Sequence, residues 1–303
     1  MKYLKITLLL ITFVFFGCEN FKESKFLVVT KTPQELKNFF IFILAIISAH
    51  RGGSDLNFPE NCIETFERNL SNHPTMIETD IAMTKDSVLI LMHDDTFQRT
   101  STGNGKVATV NHSEVKSMFL KDYRGNETKY KIPTLEDALV WGKGKVIYCL
   151  DVKRGVPYEK VVELIRKTNS EGNAMVITYN ANQAAKMARL APDLMLSVSA
   201  NGSEDVERLQ KMGVSIENCV SFVGTSEPSA ELISYFKSLN VPIIVGTFGN
   251  IDNRAKKSGD QIYYDLFDKG IQVLSVNRNL EAGKQAVLFN KKHNYNSPYL
   301  KIQ

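Results

Sequence analysis

From Ile46 onward, short apolar runs alternate with longer segments in which apolar residues recur every three or four positions. The first pattern is typical of buried strands, and the second is typical of amphipathic helices that cover a sheet. The candidate strands are Ile46–Ala49, Met76–Ile81, Val88–Met92, Lys145–Val152, Ala174–Thr178, Leu194–Val198, Cys219–Val223, Ile243–Gly246 and Gln272–Val276. The clearest helices are Thr134–Trp141, Tyr158–Thr168, Ala181–Leu190, Glu204–Met212 and Ser229–Leu239. This alternation predicts repeated strand–helix units.

The third candidate strand cannot lie parallel to the second. Only the segment Ala82–Ser87 separates them, whereas a parallel crossover needs about a dozen residues or more. Val88–Met92 is therefore predicted to be an antiparallel return strand, and its removal leaves eight parallel strands. Eight such units match the usual size of a (β/α)8 TIM barrel, about 250 residues, and we predict this fold for residues 46–303. The alternative is an open doubly wound sheet, but the first strand is not followed by a Gly-x-Gly-x-x-Gly turn.

The first 18 residues have the pattern of an export signal. Lys2 and Lys5 precede the apolar run Ile6–Phe16, which is shorter than the roughly 20 residues needed to span a bilayer. The run leads to Gly17-Cys18, which resembles a bacterial lipobox, in which the cysteine is lipidated. We predict a signal peptide over residues 1–18 and an exported protein of the bacterial cell envelope, lipid-anchored to the membrane at Cys18. The alternative is an ordinary cleaved signal with an incidental cysteine.

Residues 19–45 are predicted to form a tether and a lead-in segment. The stretch Glu19–Lys25 is mostly polar, which suits a tether. The second apolar run, Phe39–Ile47, is too short to cross a membrane and is predicted to be a short helix that leads into the first strand.

Composition and charge narrow the function. The chain has 303 residues and a formal charge of only +4, from 37 basic and 33 acidic side chains, and it contains no long basic block. A nucleic-acid partner is therefore not expected. The four cysteines, at positions 18, 62, 149 and 219, lack the spacing of a zinc cluster or a disulfide scaffold. The oligomeric state stays open.

Polar and charged side chains follow the predicted strands at their carboxyl ends, where barrels carry their chemistry. Three carboxylates gathered at one rim require a cation, and oxygen ligands suit Ca²⁺ or Mg²⁺. An arginine and a lysine could bind a phosphate, and two histidines could act as a general acid/base pair. The combination indicates hydrolysis of a small-molecule phosphodiester. The residues are His50, Arg51, Glu78, Asp80, His93, Asp151 and Lys153.

Several short motifs occur in a fixed order over about a hundred residues. They are Ala49-His50-Arg51-Gly52-Gly53, Pro59-Glu60-Asn61, Glu78-Thr79-Asp80-Ile81, Thr84-Lys85-Asp86, His93-Asp94, Arg99-Thr100, Gly103, Gly105, Ile132-Pro133-Thr134-Leu135 and Asp151-Val152-Lys153. In these motifs the chain resembles the glycerophosphodiester phosphodiesterase family. The resemblance implies a (β/α)8 barrel, a divalent metal, and hydrolysis of glycerophosphodiesters to glycerol 3-phosphate and an alcohol.

The resemblance also implies roles for individual residues. The acid/base pair would be His50 and His93, with the order of their action left open. Arg51 and Lys153 would bind phosphate oxygens. The metal ligands would be Glu78, Asp80 and Asp151, joined at the edge of the site by Glu60 or Asn61.

The chain departs from the family pattern at three places. Asp151 stands where the family usually has Glu, and Cys62 stands where it usually has Thr; we interpret Cys62 as a small buried residue rather than a nucleophile. The regions Gly246–Asn250 and Ser275–Asn277 differ from the usual motifs of strands seven and eight. Two alternatives therefore stay open: a phosphodiesterase that acts on lysophospholipids or another head group, and a non-catalytic barrel that binds phosphorylated ligands.

Overall fold

The computed structural model describes residues 25–302. Its strands are β1 (Phe26–Val28), β2 (Ile46–Ala49), β3 (Thr75–Met83), β4 (Leu89–Leu91), β5 (Phe119–Lys121), β6 (Glu127–Lys131), β7 (Tyr148–Val152), β8 (Ala174–Thr178), β9 (Met195–Ser199), β10 (Cys219–Phe222), β11 (Ile243–Gly246), β12 (Val273–Val276) and β13 (Leu300–Ile302). The predicted signal peptide and Cys18 lie outside the described residues.

The helices alternate with these strands along the chain. They are α1 (Pro33–Phe42), α2 (Ile63–Leu70), α3 (His112–Val115), α4 (Leu135–Gly142), α5 (Tyr158–Lys167), α6 (Ala181–Leu190), α7 (Ser203–Lys211), α8 (Ala230–Ser238), α9 (Asn250–Ser258), α10 (Gln261–Asp268) and α11 (Asn279–Lys292). Among the described residues, no helix has both the length and the apolar character to cross a membrane.

Eight parallel strands close into a barrel in the order β2, β3, β7, β8, β9, β10, β11 and β12. The last of these strands pairs with the first, with Val273 opposite Ile46. The return strand β4 lies antiparallel to the end of β3, with Ile81 opposite Leu91. The predicted TIM barrel with an antiparallel strand after its second strand is therefore confirmed.

The inward-facing side chains form two layers. At the amino ends of the barrel strands they are apolar, and they pack with the buried face of α1, which carries Leu36, Phe39 and Phe40. Because α1 packs across these side chains, it closes one end of the barrel. Burial of each such side chain contributes about 1.5–3 kcal/mol to the stability of the fold. Because side chains alternate along a strand, the next inward residue of β2 above Ile46 is Ser48, which lines a cavity. The polar side chains therefore collect at the other end.

The helix α1 begins six residues before the apolar run that suggested it. Thr32 is its N-cap, and its side chain accepts a hydrogen bond from the N–H of Glu35 at 3.1 Å. Pro33 occupies the first turn, where its missing N–H costs nothing. Just before α1, β1 pairs antiparallel with β13, so Val28 lies opposite Leu300. Residues 26–42, within the segment assigned from sequence to a tether and lead-in, are thus packed against the barrel.

Candidate active site

Three carboxylates meet at the carboxyl ends of β3 and β7. Glu78 and Asp80 lie two residues apart on β3 and point to the same face. Asp80 is directly opposite Asp151 in the parallel register of β3 and β7. One oxygen of each carboxylate lies within 4.8 Å of the other two, and all three residues are buried. The structure thus brings together three residues that are more than seventy positions apart at their extremes.

The electrostatics of this carboxylate trio fit a bound cation. Burial and the neighbouring charge of Asp80 raise the pKa of Glu78 well above its ordinary value. Burial also opposes the ionisation of Asp80, but the ammonium of Lys153 and the hydrogen bond from Asn61 together lower the pKa of Asp80. The Oδ1 atom of Asp151 is buried and has no hydrogen-bond partner among the described residues. Oxygen donors that repel one another, with one oxygen unpartnered, form a suitable set for a hard divalent ion.

The two predicted phosphate-binding residues flank the trio. The Nζ atom of Lys153 lies 2.6 Å from Asp80 Oδ1 and 2.6 Å from Asp151 Oδ2, which leaves one of its three N–H groups for another acceptor. The N–H of Arg51 donates to Glu78 Oε2 at 2.6 Å. The Nε atom of Arg51 is buried without a hydrogen-bond partner among the described residues.

Glu60 and Asn61 do not lie in the trio. Both carboxylate oxygens of Glu60 accept hydrogen bonds from arginines, those of Arg51 and Arg99. The amide of Asn61 donates to Asp80 Oδ2 at 2.7 Å, and its carbonyl oxygen accepts from the N–H of Asp80 at 3.0 Å. Asn61 therefore orients a carboxylate of the trio. It adopts a left-handed backbone conformation with φ 55°, which asparagine tolerates better than most residues.

His50 lies beside the trio. Its Nδ1 atom contacts Asn277 Oδ1 at 2.8 Å, and its Nε2 atom lies 4.0 Å from Glu78 Oε2. The ring stacks on Phe248, with 4.7 Å between the ring centroids. Burial lowers the pKa of His50, and the hydrogen bond with Asn277 only partly offsets this effect. The sequence identified the regions of Phe248 and Asn277 as divergent but did not predict that both position this histidine.

His93 follows the return strand β4, and its ring lines the same cavity. Its Nδ1 atom lies 2.7 Å from Asp94 Oδ1. Hydrogen bonds from Arg99 lower the pKa of Asp94, whereas burial raises it. The hydrogen bonds have the larger effect and hold this pKa well below its usual range. An ionised carboxylate can only accept, so His93 Nδ1 carries the hydrogen and Nε2 is left for the cavity.

The cavity above the trio has a volume of about 360 Å³. Hydroxyl groups of Ser48, Ser197 and Ser199 belong to its wall, together with the aromatic rings of Tyr179 and Phe248. Cys62 is absent from this wall and is fully buried, and burial raises the pKa of its thiol. It has the environment of a packed small residue, as expected.

The fold and the site define a (β/α)8 barrel with a carboxylate cation site between two histidines and two cationic side chains. Residues 50–290 match the sequence model of the glycerophosphoryl diester phosphodiesterase family. The chain belongs to this family.

Similar proteins include two bacterial relatives. The protein YqiK of Bacillus subtilis is 34% identical over 161 residues, and a glycerophosphodiester phosphodiesterase of Caldanaerobacter subterraneus is 29% identical over 164 residues. Each match covers 50% of this chain and 65% of the relative's length. The crystal structure of a glycerophosphoryl diester phosphodiesterase from Parabacteroides distasonis superimposes with a TM-score of 0.81 at 28% identity, covering 92% of this chain and 100% of that one.

Proposed function

We propose that this protein hydrolyses glycerophosphodiesters to glycerol 3-phosphate and an alcohol. The observation that carries the proposal is the cavity in which the carboxylate trio, two histidines and Lys153 meet, with Arg51 beside Asp80. A glycerophosphodiester needs these groups: a cation and positive donors for its charged phosphate, and a base and an acid for attack and departure. Membership of a phosphodiesterase family supports the same reaction class.

A divalent ion, Ca²⁺ or Mg²⁺, would be held by Glu78, Asp80 and Asp151. Such an ion would polarise the phosphoryl group and neutralise charge that develops on its oxygens. The unpartnered oxygen of Asp151 and the raised pKa of Glu78 support this assignment, because a cation would satisfy the first and relieve the repulsion behind the second.

Arg51 and Lys153 would bind the phosphate oxygens. Arg51 offers the unpartnered Nε–H group, and Lys153 offers the N–H that its two carboxylate contacts leave over. Both donors lie beside Asp80, so the phosphate would sit next to the trio. Its orientation would then be fixed before any bond is broken.

The two histidines differ in the partner of their Nδ1 atoms, and this difference suggests their order of action. His50 contacts a neutral amide oxygen of Asn277 in a half-buried position, which favours the neutral imidazole that a base requires. His93 donates its Nδ1–H to the carboxylate of Asp94, a negative partner that suits a ring acting as a proton donor at Nε2. We therefore assign His50 as the base that activates the attacking hydroxyl and His93 as the acid that protonates the leaving alcohol.

The cavity can accommodate a small substrate. Its volume of about 360 Å³ lies within the range of pockets that enclose small organic ligands, so a deacylated diester fits. Ser48, Ser197 and Ser199 in the cavity wall could form hydrogen bonds with the hydroxyls of glycerol.

A direct assay tests the proposal. The purified protein should release glycerol 3-phosphate from glycerophosphocholine when Ca²⁺ or Mg²⁺ is added, and excess EDTA should remove this activity because the trio would lose its ion. Turnover that is indifferent to EDTA would contradict the metal assignment. Hydrolysis of lysophosphatidylcholine without hydrolysis of glycerophosphocholine would favour the alternative hypothesis that the enzyme acts on lysophospholipids. Binding of these diesters without any turnover would favour the non-catalytic barrel.

We also propose that the protein is exported and lipid-anchored at Cys18. The basic start, the apolar run and the Gly17-Cys18 junction support this proposal. A radiolabelled fatty acid should be incorporated into the wild type during growth and not into Cys18→Ala, since only the cysteine can carry the acyl chains. Equal labelling of the two proteins would exclude the anchor.

A further inference from the structure

We propose that Arg99 is a positioning residue that fixes the orientation of His93 and links it to the phosphate-binding side of the site. Its guanidinium lies between two carboxylates, one beside His93 and the other beside Arg51. The proposal rests on the function proposed above, because it concerns the same site.

The first half of the link runs from Arg99 to His93. The Nε and Nη2 atoms of Arg99 donate to the two oxygens of Asp94, at 2.6 and 2.8 Å. Asp94 Oδ1 accepts the hydrogen of His93 Nδ1 at 2.7 Å. Because a two-point contact removes rotation about a single hydrogen bond, the carboxylate plane is set by the guanidinium. The imidazole plane, and with it the direction of Nε2, depends in turn on that carboxylate.

The second half runs from Arg99 to Arg51. The Nη1 and Nη2 atoms of Arg99 donate to the two oxygens of Glu60, at 2.9 and 2.8 Å. The same carboxylate accepts from Nη1 of Arg51 at 3.2 and 3.3 Å. Glu60 therefore does not serve the trio; it connects two arginines. One guanidinium plane thus sets the positions of Asp94 beside His93 and of Glu60 beside Arg51.

Only an arginine can make both contacts. Its planar fork presents donors on two edges, whereas a lysine ammonium is a compact charge that cannot hold two carboxylates in fixed planes. The Arg99 side chain is 48% exposed, so its ion pairs should add little to the free energy of unfolding. Its effect should instead appear in the chemistry, since a displacement of about 1 Å in a catalytic group can cost about 100-fold in rate.

The chain offers a matched control for the substitution Arg99→Lys. Arg166 lies away from the cavity wall and also binds two carboxylates, with Nη1 at 2.7 Å from Asp193 and 3.2 Å from Glu171. Its side chain is 39% exposed, close to the value for Arg99. Arg166→Lys therefore breaks a similar exposed ion-pair cluster at a place where no reacting group depends on it.

We expect kcat for glycerophosphocholine to fall about 10- to 100-fold in Arg99→Lys and KM to rise, because Glu60 and with it Arg51 lose a fixed partner, while metal affinity stays close to that of the wild type. Arg166→Lys should keep kcat within about two-fold. A second readout does not require turnover: the imidazole ¹⁵N shifts of His93, identified by their loss in His93→Asn, report its tautomer. At a pH at which the ring is neutral, the wild type should hold the Nδ1–H tautomer, and Arg99→Lys should show a mixture of tautomers.

Unchanged kcat and unchanged ¹⁵N shifts in Arg99→Lys would overturn the proposal while leaving the phosphodiesterase activity intact. An equal loss of kcat in Arg166→Lys would also overturn it, because the effect would then be one of general stability. A wild type without any hydrolytic activity would contradict the proposed function. In that case a tautomer change confined to Arg99→Lys would still support the positioning role.

Discussion

Replacing Glu78 with glutamine should greatly reduce metal-dependent turnover and at the same time make the metal-free protein more stable. Glutamine keeps the size of the side chain and an oxygen that can accept from the N–H of Arg51, but it removes one of three charges within 4.8 Å. Loss of a charged ligand should weaken the binding of Ca²⁺ or Mg²⁺ and reduce kcat/KM by about 100-fold or more. Without the ion, removal of a repelled buried charge should increase the free energy of unfolding.

The gain in stability should depend on pH in a defined direction. The pKa of Glu78 is raised in the folded state above its ordinary value of 4.5, so the unfolded chain loses this proton first as the pH rises. The protonated carboxyl group of Glu78 contributes fully to the free energy of unfolding below pH 4.5. This contribution is lost as the pH rises through the folded-state pKa. The advantage of Glu78→Gln over the wild type should therefore grow with pH.

Urea unfolding in EDTA at several pH values, together with calorimetric titration of the metal, checks both halves of this prediction. Glu159→Gln is a suitable control, because Glu159 is an exposed residue that pairs with Lys186 outside the cavity. It should change neither metal affinity nor kcat/KM. A wild-type affinity for the metal in Glu78→Gln would remove Glu78 from the ligand set.

Replacing either cavity histidine with asparagine should lower kcat by about 100- to 10,000-fold, the range that a general acid or base usually supplies. His93→Asn should leave metal affinity unchanged, since His93 contacts Asp94 rather than the trio. His50→Asn also removes the stacked contact with Phe248, so it should additionally raise KM.

The two variants can be separated by the leaving group. If His93 is the acid, its loss should be least harmful with a p-nitrophenyl phosphodiester, whose phenolate departs without protonation. If His50 is the base, its loss should be equally harmful with either substrate. His293→Asn, at the exposed end of α11, serves as the control and should retain full kcat. Full activity in both cavity variants would exclude the acid/base pair.

The barrel could be predicted from the sequence because each of its strands has a local sequence pattern. Each buried strand is a short apolar run, and the spacing between Ile81 and Val88 alone excludes a parallel crossover. The carboxylate trio was also predictable, since residues at the ends of neighbouring parallel strands must meet at one rim. The register that sets Asp80 opposite Asp151 follows from closure of the barrel.

The remaining features depend on contacts between distant segments. The strands β5 and β6 form a hairpin, but they have only three and five residues and no long apolar run. The sequence pattern therefore does not indicate this hairpin. The links from Arg99 to Glu60 and from Asn277 to His50 span 39 and 227 residues, and no local pattern specifies them. The start of α1 could have been predicted, because Thr32-Pro33 followed by Glu35 is a typical helix start. The sequence prediction instead placed the helix at the apolar run that begins at Phe39.

The packing of β1 and α1 determines at which end of the barrel the amino-terminal segment lies. Val28 donates its N–H to the oxygen of Lys145, just before β7, so the polypeptide enters the barrel at the sealed end, opposite the opening that holds the trio. An attachment to a surface through the residues before Lys25 would lie on the sealed side of the barrel. Diesters in the surrounding fluid would then reach the opening from the side away from the attachment.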